Sequence, residues 1–305
     1  GTGSTTRVRR PNGSTNFAPD VTVADGRTVE LSDLQIDGNG QLTPGITAAG
    51  GHLLVRDTTV TGNGNHSPGT GGGIAVTAGS READVLVFDS TIANNVSDNA
   101  GGGIWVTSAS AASLTIVNST VSGNTTQGGG TFGGGGVAVS NASLTARDST
   151  ITANTTDSNG GGGIFATTNT PPVSLTNTIV AGNTATGGGA DCEVYAGRPT
   201  VDGGHNVIGE NTGVVGTGCP GFTDGVNGDH VGTHGSPIDV VLAALASNGG
   251  PTATHKLLPG SPAIGAGDGA DCTLAPVTNR DQRGHLRKAT LRGTCDIGAY
   301  DTGGA

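Results

Sequence analysis

The sequence predicts an all-β fold, a parallel β-helix in which about 29 residues make one coil of a solenoid. The first observation behind this reading is a phrase that ends in asparagine and occurs six times, as Asp33 to Asn39, Asp57 to Asn63, Asp89 to Asn95, Asn118 to Asn124, Asp148 to Asn154 and Asn177 to Asn183. The final asparagines advance by 24, 32, 29, 30 and 29 residues, so the pattern survives uneven insertions. The second is an alternating apolar stretch ahead of each phrase: Leu53 and Val55, Val85 and Val87, Leu114 and Ile116, Leu144 and Ala146, Val173 and Leu175. Period two marks a strand with one buried face. The third is a glycine cluster leading into another short strand, at Gly71 to Val76, Gly101 to Val106, Gly133 to Val139 and Gly160 to Phe165.

Each repeat thus holds about three short strands separated by glycine or asparagine corners, and no helical period leaves room for crossover helices. Such a unit cannot bury its own apolar face and must stack on its neighbours. Equivalent strands of successive coils then lie in parallel about 4.8 Å apart around one narrow core. Asn39, Asn63, Asn95, Asn124, Asn154 and Asn183 fall at equivalent corners, where asparagine tolerates a left-handed backbone and its amide can bond the copy above and below. They are expected to form a structural ladder. We divide the chain into a repeat array, residues 1–190, and a less regular continuation and cap of the same solenoid, residues 191–305.

Composition excludes several classes. Glycine accounts for 58 of 305 residues, with one tryptophan, two tyrosines and no methionine, yet glycine does not recur at every third position as collagen requires. A net charge of −10 with scattered lysine and arginine argues against nucleic acid or an anionic membrane as partner. No apolar run is long enough to span a bilayer. The chain opens without the charged segment and apolar core of an export signal, which fits either a cytosolic or a processed protein. Four cysteines form two local pairs, Cys192 with Cys219 and Cys272 with Cys295, in the least repetitive part of the chain. An even count in this placement predicts two disulfides in an exported protein, and the spacing is not that of a zinc site.

The phrases Gly-Gly-Gly-Ile and Asp-Ser-Thr-Ile-x-x-Asn, over roughly residues 30–190, resemble the repeats of bacterial polymorphic outer-membrane-type surface proteins. Further on come Gly204-His-Asn-Val-Ile-Gly209, Asn248-Gly-Gly-Pro-Thr252, Leu257-Leu-Pro-Gly-Ser-Pro-Ala-Ile264, Asp281-Gln-Arg-Gly284 and Cys295-Asp-Ile-Gly-Ala-Tyr300. In that order they resemble the C-terminal portion of the choice-of-anchor group of secreted bacterial β-helix proteins. The resemblance implies a right-handed coil, continuation of that coil by the Ser-Pro-Ala-Ile and Asp-Ile-Gly-Ala-Tyr segments, and an extracellular or cell-surface address. It implies no common reaction, and the sequence ends at Asp301-Thr-Gly-Gly-Ala305 without an anchor.

Candidate chemistry centres on the residues that open the phrase. Asp57, Asp89 and Asp148 stand in a column with Asp33, Asn118 and Asn177, and neighbours one strand apart approach the roughly 5 Å at which retaining glycosidases place acid and nucleophile. Arg56 and Arg147 flank that column as candidate partners. The free exchange of aspartate with asparagine favours a corner-capping role instead. Trp105, Phe132 and Phe165 form an aromatic stripe expected to fill the coil interior. Asp224, Asn227 and Asp229 are oxygen ligands suited to calcium, without the spacing of a helical calcium loop, and no other cofactor is implied. His230 and His234 lie among glycines and not on a helix, unlike a zinc-protease motif. A short helix over 237–246, capped by Ser236, is expected to cover the coil.

These features favour a non-catalytic structural or adhesive protein that contacts polysaccharide, a cell-surface ligand or copies of itself. The alternative is a polysaccharide lyase or glycoside hydrolase on the same scaffold. A capped monomer is one expectation; self-association, if it occurs, is expected along the axis through the edges near Val21 to Val29 and near Ile297, with Arg7, Arg9 and Arg10 facing Asp296 and Asp301 head to tail.

Overall fold

The computed structural model describes residues 6–9, 20–24, 26–41, 43–65, 71–79, 82–109, 111–127, 132–158, 160–167, 171–186, 189, 191–195, 198–211, 218–288 and 293–303. Arg10 and the side chain of Arg9 lie outside these residues. Three parallel sheets wrap one narrow core. The first runs from Val21–Val23 to Cys192–Val194, the second from Thr28–Ser32 to Thr200–Asp202, and the third from Thr6–Arg9 to His230–Val231. The coil repeats about 29 residues over about six turns.

Register follows the hydrophobic pattern. Leu114 pairs with Val85 and Leu144, Ile104 with Ile74 and Val137, and Val121 with Ile92 and Ile151. Like residues therefore stack on like, and all of these side chains are buried in one continuous core. Burial of each contributes about 1.5–3 kcal/mol. Glycine is required beside this core by close approach. A Cβ on Gly103 would lie 2.6 Å from the Gly136 carbonyl oxygen and 2.9 Å from Asn124 Nδ2.

The asparagine ladder is present and has a direction. Nδ2 of Asn63, Asn95, Asn124 and Asn154 donates to Oδ1 of the next asparagine at 2.9 Å, and Asn183 closes the series on Asp191 Oδ1 at 2.8 Å. The second Nδ2 proton of Asn95, Asn124, Asn154 and Asn183 goes to the carbonyls of Val60, Ile92, Val121 and Ile151. Asn39 does not belong to the ladder. A register shift between Asp37 and Gln41 brings Gln41 opposite Asn63, and Asn63 Oδ1 accepts no hydrogen bond. Nor do the ladder asparagines occupy the left-handed corner. The preceding residue does, with φ 57° at Asn94, 67° at Gly123, 56° at Ala153 and 71° at Gly182.

A second ladder, unrecognised in the sequence, runs along the corner between the second and third sheets. Thr58 N–H donates to Ser90 Oγ (3.1 Å), Ser90 N–H to Ser119 Oγ (3.1 Å) and Ser119 N–H to Ser149 Oγ (3.2 Å). Thr178 N–H then donates to Asn206 Oδ1 (3.1 Å), and Asn206 N–H to Asp229 Oδ1 (2.7 Å). Both ladders end on a buried aspartate, because the last member needs only to accept.

The C-terminal part departs from expectation. The coil continues to His230–Val231, after which residues 237–288 and 293–302 lie as a strap across the outer face of the third sheet. Ser261 to Ile264 and Asp296 to Tyr300 belong to this strap and add no coil. No helix forms over 237–246; the one helix among the described residues is Gly269–Thr273. Ile238, Val240 and Leu242 alternate, and the segment runs extended with Val240 buried against Ile179, Ala181 and Val207. The disulfides Cys192–Cys219 and Cys272–Cys295 both form. No helix among the described residues is long and apolar enough to cross a membrane.

The expected head-to-tail charge pairing is also overturned. Arg7 pairs with Asp37 in its own solenoid, while Asp296, Ile297 and Asp301 are buried in the strap and far from serving a terminal edge. Asp296 and Asp301 instead accept backbone N–H groups of Gly265, Thr302 and Gly303.

Replacement of Asn124 by leucine removes the partner of the buried Asn95 amide and of the Ile92 carbonyl, and is expected to cost about 2–4 kcal/mol. Thermal unfolding should show a melting temperature lower by roughly 5–15 °C, against a near-neutral Gln127→Ala control on the exposed corner. Burial pushes the Asp191 carboxyl up to about 7. Its folded form therefore keeps a proton that the unfolded chain loses near pH 4, so its contribution falls as pH rises from about 4 to about 7 and is level above. Urea titrations across that range should show this slope in the wild type and a shallower one in Asp191→Asn.

Candidate functional site

The aspartate column proves to be the left-handed corner of the coil. Asp33, Asp57, Asp89, Asn118, Asp148 and Asn177 have φ values of 55°, 47°, 49°, 52°, 49° and 46°. Asparagine and aspartate tolerate this conformation best after glycine, which accounts for their exchange along the column. The corner brings Asp57 and Arg56 together at 3.2 Å, with Glu30 on the same guanidinium, and Asp148 and Arg147 at 3.2 Å.

The strap then closes the C-terminal half of this column, Asn118, Asp148 and Asn177. Asp148 is 0% exposed and Arg287 1% exposed. Arg287 reaches in from the strap and donates to Asn118 Oδ1 (2.6 Å) and to the carbonyls of Arg280, Asp296 and Gly298. Its guanidinium stands 4.0 Å from Asp148 Oδ1. Arg147, beside Asp148, donates to the strap carbonyls of Asp271, Leu274 and Ala275. Asn177 receives the Asp268 N–H at 2.9 Å. Burial raises the Asp148 carboxyl above the ordinary carboxylate range, and Arg287 and Arg147 oppose the shift.

Asp89 occupies the margin of the strap. Burial pushes its carboxyl up to about 7, against a hydrogen bond from Asn118 Nδ2 (2.5 Å) and with the neighbouring Asp57 charge adding to the rise. Burial also raises Asp57, which stays more accessible and is partly offset by Arg56. Asp89 and Asp57, carboxyls on successive corners, have the two-carboxyl composition of a glycosidase site.

Four other strap residues were given no role from the sequence, although three of them lie in the phrase Asp281-Gln-Arg-Gly284. Gln282 is fully buried, accepts from Thr120 Oγ1 (2.6 Å), and donates to Thr91 Oγ1 (2.9 Å) and Thr252 Oγ1 (2.8 Å). Asp281 holds Arg283, whose guanidinium lies 3.7 Å from the Tyr300 ring centroid. His255 Nε2 meets Ser122 Oγ at 2.8 Å while Nδ1 faces the Ala243 carbonyl at 2.7 Å. That carbonyl keeps the proton on Nδ1, so Nε2 accepts from the serine, and burial lowers the His255 pKa. The pair has nucleophile and base spacing, but both side chains are buried between sheet and strap, where they act as a clasp.

The remaining candidates separate. Trp105 and Phe165 are buried on the outside of the first sheet, beneath the glycine loops and not in the coil interior, because they alternate with Ile104 and Ile164, which point inward. Phe132 lies 6.0 Å from Trp105 and 6.3 Å from Phe165 between ring centroids, and Tyr195, 43% exposed, continues the row at 5.9 Å. Asp148, Cys272 and Cys295 converge, but the two sulfurs form one disulfide and offer a metal no thiolate. In the calcium-suited loop Asp224 accepts the Val231 N–H, while Asn227 and Asp229 turn toward Asp202.

One open groove of about 380 Å³ lies on the outer face of the second sheet, lined by Glu30, His52, Leu54, Asp84, Leu86 and Thr115 among others. Within it Asp84 accepts from Ser113 Oγ (2.7 Å) and pairs with His52 Nδ1 (3.0 Å). Aspartate, not histidine, is thus the serine's partner, which is the wrong order for an activated nucleophile.

Residues 14–144 match the family model for a right handed beta helix region. The fold is a right-handed parallel β-helix. No curated protein and no solved structure matches the chain.

Arg287 hydrogen-bonds four acceptors at a buried corner, so Arg287→Leu leaves those acceptors unpaired and Asp148 with Arg147 alone as an opposing charge, and is expected to cost about 3–5 kcal/mol. Limited proteolysis should cut that variant within residues 237–302 before the coil, whereas the wild type resists.

Proposed function

We propose that this is a secreted or cell-surface β-helix with a non-catalytic, structural or adhesive role, which contacts carbohydrate or another surface ligand through its open second sheet. The observation that carries this reading is the strap. It covers Asn118, Asp148 and Asn177 and engages Arg147 and Arg287, so the C-terminal half of the column, Asp148 included, is unavailable to an extended polysaccharide. What stays open is a face of stacked small side chains, with Leu54 beside Leu86 and Thr115 beside Thr145 in register, next to the acidic and imidazole groups of Glu30, Asp84 and His52. Two disulfides and an acidic composition accord with an extracellular address.

A glycoside hydrolase is the second reading, favoured by one observation: Asp89, raised to about 7, stands next to Asp57 at the edge of the strap. A screen of acidic and neutral polysaccharides separates the two. The structural reading expects binding that is weakened about tenfold or more by Leu54→Asp or Leu86→Asp, with no new reducing ends and no unsaturated products. Release of reducing ends that Asp89→Asn abolishes would establish the hydrolase and reject the non-catalytic role.

A further inference from the structure

The last coil brings two carboxylates together, Asp202, which accepts the Gly204 N–H (2.8 Å), and Asp229, one oxygen of which is left over. Asp229 is 1% exposed. Its Oδ1 ends the hydroxyl and amide ladder by accepting from Asn206 N–H (2.7 Å) and Asn206 Nδ2 (3.1 Å). Its Oδ2 is buried and accepts no hydrogen bond. The same Asn206 Nδ2 also reaches Asp202 Oδ1 at 3.4 Å, so one amide bridges two carboxylates. The group that faces Asp229 is therefore a second carboxyl, that of Asp202. Among the described residues no lysine or arginine forms an ion pair with Asp202, Asp224 or Asp229.

Asn227 supplies a third oxygen. Its side-chain amide lies 2.6 Å from Asp202 Oδ2, and an amide turned end for end would present Oδ1 toward the same point. Two carboxylates and one amide oxygen, Asp202 at the end of the strand Thr200–Asp202 and Asn227 and Asp229 on the irregular loop that leads into His230–Val231, match the flexible oxygen coordination of calcium better than the strict octahedron of magnesium.

We infer that Asp202, Asp229 and Asn227 bind a calcium ion that ties the loop at 223–229 to the strand Thr200–Asp202 and closes the C-terminal end of the coil. Asp224 of the calcium-suited loop is not a ligand, since its carboxylate is turned to Val231 N–H. Water completes the coordination shell, so affinity is expected in the range of about 0.1–1 mM typical of extracellular calcium modules.

Thermal unfolding and isothermal titration calorimetry at pH 8 test the site with calcium chloride as the probe and EDTA as the reference. Wild type is expected to bind one ion and to gain about tenfold in folding equilibrium for each tenfold rise in free calcium above the dissociation constant. Asp229→Asn keeps an oxygen for Asn206 and so preserves the ladder; its melting temperature in EDTA should match or exceed that of wild type while the calcium response disappears. Asp202→Asn is expected to lose the response in the same way and provides the measurement if the first variant fails to fold. Equal melting in calcium and EDTA with no heat of binding, as two carboxyls sharing a proton would give, overturns the site. So does a calcium response that persists in a folded Asp202→Asn or Asp229→Asn variant.

Discussion

Every other feature of this molecule depends on buried amides that must find a partner in the next coil. A polar group taken out of water without a hydrogen bond costs more than the bond returns when it is made, so each corner asparagine fixes the position of its neighbour within a few tenths of an ångström. The apolar core alone would tolerate a slipped coil, since valine, isoleucine and leucine interchange at its positions. The ladder does not. Because each asparagine donates its Nδ2 toward the C-terminal side, the column has a direction and two unlike ends. At the start Asn63 Oδ1 is left without a donor, and at the finish Asp191 replaces an asparagine with a group that only accepts. The serine and threonine column obeys the same rule and ends on Asp229.

The outward face of the third sheet shows a second use of regular stacking. Thr91, Thr120 and Thr150 repeat at strand spacing and would make a flat hydroxyl face in an open coil. Here those hydroxyls bind the chain's own strap through Ala253, Gln282 and Ala299. Further along, the same row changes to Ile179 and Val207, and the strap answers with Val240, Leu257, Ile297 and Tyr300. Directional contacts hold one part of the strap and apolar burial the other. Arginine completes the attachment, because a guanidinium can satisfy several carbonyls at once: Arg147 and Arg287 do so across the strap, and Arg198 does so for Ala142, Thr167 and Pro171 within the coil.

The parts of the structure that repeat were legible in the sequence, and the parts that do not were misread. Strand positions such as Leu114 and Ile116 follow from alternation alone, and the asparagine spacing located the ladder from Asn63 to Asn183. Asn39 failed because a bulge shifts register without altering the phrase, and a bulge leaves no mark in a single repeat. The strap was not visible because its contacts join residues more than a hundred positions apart with no period to reveal them; Thr120 and Gln282 are separated by 162 residues. One signal was available. At position 179 isoleucine stands where Thr91, Thr120 and Thr150 occupy the outward row, and an apolar residue on an outward row needs a cover. Residues 237–246 also carried the right information in the alternation of Ile238, Val240 and Leu242, which is the period of an extended segment and not of a helix.

The same cover gives the aspartate column an order that the repeat alone lacks. Left-handed geometry permits either aspartate or asparagine at each corner, so geometry does not decide between them. Burial does. Asp33 and Asp57, away from the strap, are in contact with solvent, whereas asparagines, Asn118 and Asn177, stand where the strap seals the corner. Asp148 breaks the pattern, a carboxylate in the most enclosed position, and it is the one that Arg147 and Arg287 approach from two sides. Asp89, half covered and without such a partner in contact, is left between the two regimes with its carboxyl raised to about 7. A column arranged for catalysis would place its perturbed acid opposite an open cleft. In this one the perturbation follows the edge of the strap, as expected if chain packing, and not a substrate, determined which corners carry charge.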